Sequence, residues 1–180
     1  ESMRSDLQLG AMSPALFTDR GEPQAFAFGS EASPAYLIRR GFRSIMGLGP
    51  MHDWSVKEPL EVGWISAACM CVRRKIVEEI GELDERFPLY FEDVDWCLRM
   101  REAGWKIIYN PRLHVIHLGG ASWPAGAADR RELYYRSLLL FCEKHYGYGW
   151  KLLIRILLLA YRTLAVVRAA IVRTSPDGSL

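Results

Sequence analysis

No part of the chain constrains the fold as tightly as residues 81–122, GELDERFPLYFEDVDWCLRMREAGWKIIYNPRLHVIHLGGAS. Carboxylates at Asp84, Glu85, Glu92, Asp93 and Asp95 crowd around two aromatics, Tyr90 and Phe91. Val94, Cys97, Leu98 and Met100 then recur near a helical period, and Asp95 and Arg99 are spaced to pair across one turn. Gly104 fits the position just past a helix end. Residues 106–109 read as a strand stopped by Asn110-Pro111, and residues 113–117 as another. A helix between strands predicts an α/β fold. An acid-rich helix start with a later histidine suggests the edge of an active site.

The remainder agrees with that class. Residues 9–14 form an apolar run ended by Ser-Pro, and residues 24–28 alternate enough for a second strand. Ser33 and Pro34 are placed to open a helix that Gly41 closes. Residues 42–59 hold two glycines and two prolines and read as a loop. Residues 62–72 are the most strand-like run of the first half, and KIVEEIG is a short helix stopped at Gly81. Residues 129–146 are helical, broken by Gly147 and Gly149 before the tail.

The net charge of +2 conceals an asymmetry. Residues 1–150 carry 18 basic and 20 acidic groups, whereas 151–173 carry Lys151, Arg155, Arg162, Arg168 and Arg173 with no acid. The basic excess belongs to the tail, which argues against nucleic acid as a partner of the core. Four cysteines sit in apolar sequence without a CxxC pair, which predicts buried free thiols in a reducing compartment rather than a zinc site. The chain enters strand-like sequence almost at once without a signal peptide, and reads as a piece of something longer.

Two readings of Glu92, Asp93 and Asp95 stand side by side. Acidic side chains in a first turn meet free N–H groups and the positive end of the helix dipole, at about 0.3–1 kcal/mol each. Set among Tyr90, Phe91 and Trp96, however, a desolvated carboxylate has a raised pKa and is a better base. Asp93-Val94-Asp95 spells DxD, but on a helix those side chains diverge and do not form a metal pair. His114 and His117 fall on opposite faces of an extended segment, so they cannot share one metal. His117 is the better candidate of the two, because Gly119 and Gly120 follow it and let backbone approach a ligand. His52 and His145 read as structural.

With these residues on the page, the 81–122 run resembles the C-terminal half of family 2 glycosyltransferases with a GT-A fold, particularly bacterial rhamnosyltransferase-like members. The preceding WISAACMCVRR and the following YYRSLLLFCEKHYG are similar to that group too, so the likeness covers roughly residues 7–150. The resemblance implies an inverting transferase with Asp93 as catalytic base, and Glu92, Asp84 and Trp64 on the acceptor side. It places His117 at a divalent metal, Mg²⁺ or Mn²⁺, on the donor diphosphate. It further implies a nucleotide-diphosphate sugar donor such as dTDP-rhamnose and a saccharide or lipid-linked acceptor in polysaccharide biosynthesis. Relatives often carry Asp-Trp-x-x-Gly where this chain has Gly63-Trp64-Ile65-Ser66-Ala67. The family's N-terminal half, with its nucleotide pocket and metal-binding DxD, has no counterpart in residues 1–60. The expected organisation is therefore a partial, acceptor-side GT-A domain over 1–147, inactive alone. The second functional class is a non-catalytic, membrane-associated sugar-binding or scaffold module derived from the same fold.

The tail, residues 148–180, is helical in pattern but lacks an uninterrupted apolar run long enough to span a bilayer. Lys151, Arg155, Arg162 and Arg173 fall within about 40° of one another on a helical wheel, with Arg168 off that line. Such a basic stripe suits an anionic membrane surface, which would place the protein on the cytoplasmic face of the cell membrane. The alternative is an amphipathic helix packed on its own domain.

Overall fold

The computed structural model describes residues 2–120 and 129–174, with side chains described over 3–120 and 129–163. A four-stranded sheet runs in the order β3-β6-β1-β5. Its centre is β1 (Leu9–Phe17), parallel to β6 (Lys106–Ile116) and antiparallel to β5 (Cys71–Val72), while β3 (Leu60–Glu61) closes the far side of β6. A second small sheet pairs β2 (Phe28–Gly29) with β4 (Trp64–Ile65). Helices α2 (Pro34–Ile45), α3 (Arg74–Ile80), α4 (Glu92–Glu102), α5 (Arg130–Tyr146) and α6 (Tyr148–Thr174) follow a short opening turn, α1 (Ser2–Ser5). The result is a mixed α/β domain with a parallel central pair, as the sequence pattern predicts.

Two predicted stops are strand interior instead. Pro14 lies inside β1, and Asn110-Pro111 inside β6, which is one strand rather than two. They neutralise each other. Pro14 pairs with Asn110 but Ala15 pairs with His114, so both prolines sit at one irregularity where no ladder N–H is required. Asn110 Oδ1 accepts the Arg112 N–H at 3.1 Å and holds the extra residues in a local turn. Gly41 does not end α2 either. The helix continues to Ile45, beginning where expected at Ser33, whose Oγ accepts the Tyr36 N–H. The predicted strand over 62–72 is broken by a 3₁₀ turn, Ala67–Cys69, between β4 and β5.

The core joins both sheets to the helices through Leu16, Phe28, Ile65, Met100, Tyr109 and Phe141. Gly29 lets the small sheet close: a Cβ there would lie 2.5 Å from the Trp64 indole nitrogen. At Gly147, φ +87° turns the chain from α5 into α6, and α6 returns Ile154 to the same core. Cys97 and Cys142 are buried as expected, but Cys71 is exposed on the sheet edge, and all four thiols are free.

Candidate active site

Helix α4 starts in an unusual way. Tyr90 and Phe91 both have left-handed backbone, φ +66° and +67°, a conformation that costs a non-glycine residue about 1–3 kcal/mol. Phe91 occupies the N-cap and offers no capping oxygen. The two rings diverge: Phe91 is buried at 4% exposure, whereas Tyr90 is 40% exposed. Strain of this kind immediately before a carboxylate pair is typical of a functional edge.

Asp93 bridges two segments. Its Oδ1 accepts the Val94 N–H at 2.8 Å, and its Oδ2 accepts the Ala67 N–H at 3.1 Å, at the start of the 3₁₀ turn after β4. Burial pushes its carboxyl above the ordinary value, although those backbone N–H groups pull the other way. Next to it, Glu92 Oε2 is buried without a hydrogen-bond partner among the described residues. Burial first, and then the Asp93 charge, raise the Glu92 carboxyl as well. One Asp93 oxygen thus does serve a first-turn N–H, as the capping reading requires, but the other reaches a different element.

Asp95, two residues on, lives in the opposite environment. It is fully buried, its Oδ1 meeting Lys144 Nζ at 2.6 Å and His145 Nε2 at 2.7 Å, and its Oδ2 meeting Arg99 Nε at 3.0 Å. Burial alone would raise its carboxyl, but His145, Lys144 and Arg99 outweigh it and hold it below the ordinary value. Asp84 belongs to this network too. Both its oxygens are taken by Arg86, and Lys144 adds a contact at 2.8 Å. The Arg86 guanidinium holds the Asp84 carboxyl well below the usual range. Lys144 and His145 were not singled out in the sequence as partners; the signal available was the excess of acids over nearby cations in 81–95.

Trp64 is buried against Gly29. His117 follows β6, its N–H bonded to the Phe17 carbonyl at 2.9 Å and its Nδ1 to Gln24 Oε1 at 2.8 Å. The acceptor Oε1 implies a proton on Nδ1 and leaves the Nε2 lone pair without a partner among the described residues. The segment 24–29 joins the two ends of this edge. Gln24 holds His117, and Ala27 accepts the N–H of Ser66, the residue before the Ala67 that holds Asp93. Gln24 and Ala27 are three residues apart, a span of at most ~11 Å. No group of three metal-ligating side chains occurs among the described residues. An open pocket of about 400 Å³ is lined by Phe28, Gly29, Glu31, His52, Val62 and Arg101.

Known proteins similar to this chain share one chemistry by name. Over 177 residues the chain is 31% identical to an N-acetylglucosaminyl-diphospho-decaprenol L-rhamnosyltransferase of Mycobacterium tuberculosis, covering 92% of the chain. The description "Glycosyltransferase like family 2" matches residues 57–133, which include the strained turn and the Glu92–Asp93 pair. Over this stretch the chain is similar to the family 2 glycosyltransferases. Shorter likenesses lie over the same family: 33% identity over 63 residues to the rhamnosyltransferase WbbL of Escherichia coli, covering 35% of the chain and 24% of that protein. A further 35% over 66 residues relates it to the O-antigen biosynthesis protein RfbC of Myxococcus xanthus, covering 36% of the chain and 5% of that protein. The chain spans about half, 56%, of the mycobacterial relative's length. No solved structure matches this chain.

Proposed function

We propose that this chain is the acceptor-side half of an inverting glycosyltransferase moving a sugar, rhamnose by analogy with its relatives, from a nucleotide-diphosphate donor such as dTDP-rhamnose. The acceptor is a saccharide or a lipid-linked saccharide, the class printed in the mycobacterial relative's name. The observation that carries the reading is Asp93, a desolvated carboxylate held by two backbone N–H groups and by no cation that the structure shows. In the transfer, Asp93 takes the proton of the acceptor hydroxyl as that oxygen bonds to the anomeric carbon. The bond from that carbon to the diphosphate oxygen breaks, and the nucleoside diphosphate leaves with its electron pair. Glu92, next to the base, orients the acceptor. Asp84 and Trp64 act on the acceptor side through the shape they give it, since both Asp84 oxygens are engaged and the Trp64 ring is buried.

His117 would supply one ligand to a divalent ion, Mg²⁺ or Mn²⁺. When bound, such an ion neutralises charge on the leaving diphosphate. The test is Asp93→Asn in an enzyme carrying this chain together with a donor-binding half. Transfer is expected to fall steeply while donor binding holds, and His117→Ala is expected to weaken metal-dependent donor binding instead. Near-normal turnover by Asp93→Asn would remove the base and the mechanism with it.

The same reading places the protein on the cytoplasmic face of a membrane. Helix α6 packs through Ile154 and Leu158, which leaves Leu152, Leu153, Ile156, Leu157 and Leu159 exposed on its other side. Arg155 and Arg162 are exposed beside that apolar face, whereas Lys151 is partly buried against Glu143 at 2.6 Å. The side chains of Arg168 and Arg173 lie outside the described residues. No described helix is long and apolar enough to cross a bilayer, so the open face lies along the surface. Vesicles containing anionic lipid should retain the chain, and a version lacking residues 150–180 should float free. Equal binding by that shortened version would exclude α6 as the anchor.

A further inference from the structure

The turn before the proposed base carries a feature that proton transfer does not use. Two consecutive aromatic residues, Tyr90 and Phe91, occupy the left-handed region, where glycine or asparagine would sit without strain. The conformation sends one ring inward and one outward. Phe91 packs on Phe141 at 5.3 Å between ring centres, as a core residue does. Tyr90 stays 40% exposed and lies edge-on to Tyr134 at 5.9 Å, with the rings inclined at 65°. Arg40 sits over the Tyr134 ring at 5.7 Å. Three residues from Tyr90 is Asp93, and between them Glu92 holds a buried oxygen without a described partner.

We infer that Tyr90, backed by Tyr134, is an aromatic platform for the pyranose ring of the acceptor. The inference rests on the sugar-transfer reading and deepens its acceptor side. A pyranose presents one apolar face of C–H bonds and a rim of hydroxyl groups. The C–H face, carrying slight positive charge, lies favourably on the negative face of an aromatic ring. The rim needs polar partners, and the Glu92 and Asp93 carboxylates follow Tyr90 by two and three residues. A few polar groups beside an aromatic wall are the usual composition of a small-molecule site. If Tyr90 were only a spacer, a residue suited to positive φ would serve better there; the retained ring is what the strain secures.

Binding is read directly on the 180-residue chain, independently of turnover. The probes are the methyl glycosides of N-acetylglucosamine, rhamnose and galactose, titrated to tens of millimolar while the tyrosine ring signals are followed by NMR. At least one glycoside should shift the Tyr90 and Tyr134 signals with saturation. Tyr90→Gly should weaken that binding roughly tenfold, equivalent to ~1.4 kcal/mol. Its thermal midpoint should stay within about 4 °C of the parent, because the lost ring contact is offset by relief at positive φ. Tyr90→Phe, which keeps the ring, should bind within about threefold, an affinity change of less than ~0.7 kcal/mol. Absence of any shift with all three glycosides, or a Tyr90→Gly chain that binds like the parent, overturns the platform. A failure of the reaction itself shows separately, as Asp93→Asn turnover near normal with glycoside binding intact.

Discussion

Asp93 and Asp95 stand two residues apart on one helix, yet they have opposite surroundings. Asp93 accepts only backbone N–H groups in the described structure and its carboxyl is pushed up. Asp95 is enclosed by Lys144, His145 and Arg99 and its carboxyl is held down. Environments that separate the pKa values of neighbouring carboxylates are how a fold assigns one to proton transfer and another to architecture. The helix start therefore contains two regions. One is a desolvated edge with strained backbone and an orphaned Glu92 oxygen, and the other is an ion network that ties residues 80–95 to the end of α5. Arg99 extends the network by donating to the Ile80 and Glu82 carbonyls at 2.7 Å each.

The largest expected effect lies on the Asp93 side. In a complete enzyme Asp93→Asn should lower kcat by ~10²–10⁴, about 3–5 kcal/mol of barrier, with urea unfolding of the variant close to the parent. A large stability loss without a rate loss would reverse the two assignments. On the other side, Asp95→Ala leaves the partly buried Lys144 and Arg99 without their counter-charge and should destabilise the chain by ~2–4 kcal/mol in denaturant unfolding. An Asp95→Ala chain as stable as the parent would show that the network is ornamental.

Acidity separates the pair by sign. Asp95 and Asp84 have depressed folded values, so their contribution is present above the unfolded carboxyl value of 3.8 and disappears as pH falls through the folded values. Asp93 has a raised value, so its charge opposes folding increasingly as pH rises from 3.8 through the folded value. Unfolding measured across pH 2–7 should accordingly show a flatter acid limb for Asp95→Asn. The stability of Asp93→Asn relative to the parent should improve toward neutral pH. Parallel pH curves for the two variants would contradict the contrast. The smallest effect is a control outside both regions: Arg74 and Glu78 form an exposed i,i+4 pair at 3.0 Å, and Arg74→Ala should cost no more than about 0.5 kcal/mol.

Much of this was legible in the residue order, and the reasons for the remainder are local. Helices α3, α4 and α5 end where Gly81, Gly104 and Gly147 take positive φ, because glycine marks such turns by itself. Asp95 and Arg99 pair as their spacing requires. Pro14 and Asn110-Pro111 were misleading because each looks like a stop until the other is known to lie opposite it. Gly41 misled for a related reason: a glycine in a solvent-facing helix turn costs only about 1 kcal/mol, which the rest of α2 absorbs.

Sequence alone determined the class of the fold, the family likeness, and the helix on which the three carboxylates stand, since periodicity, caps and short-range spacing are properties of neighbours along the chain. Only the tertiary structure decided which carboxylate is which. Asp93 meets Ala67 from 26 residues away and Asp95 meets His145 from 50, and a carboxyl group's ionisation is governed by the charges and solvent around it in space.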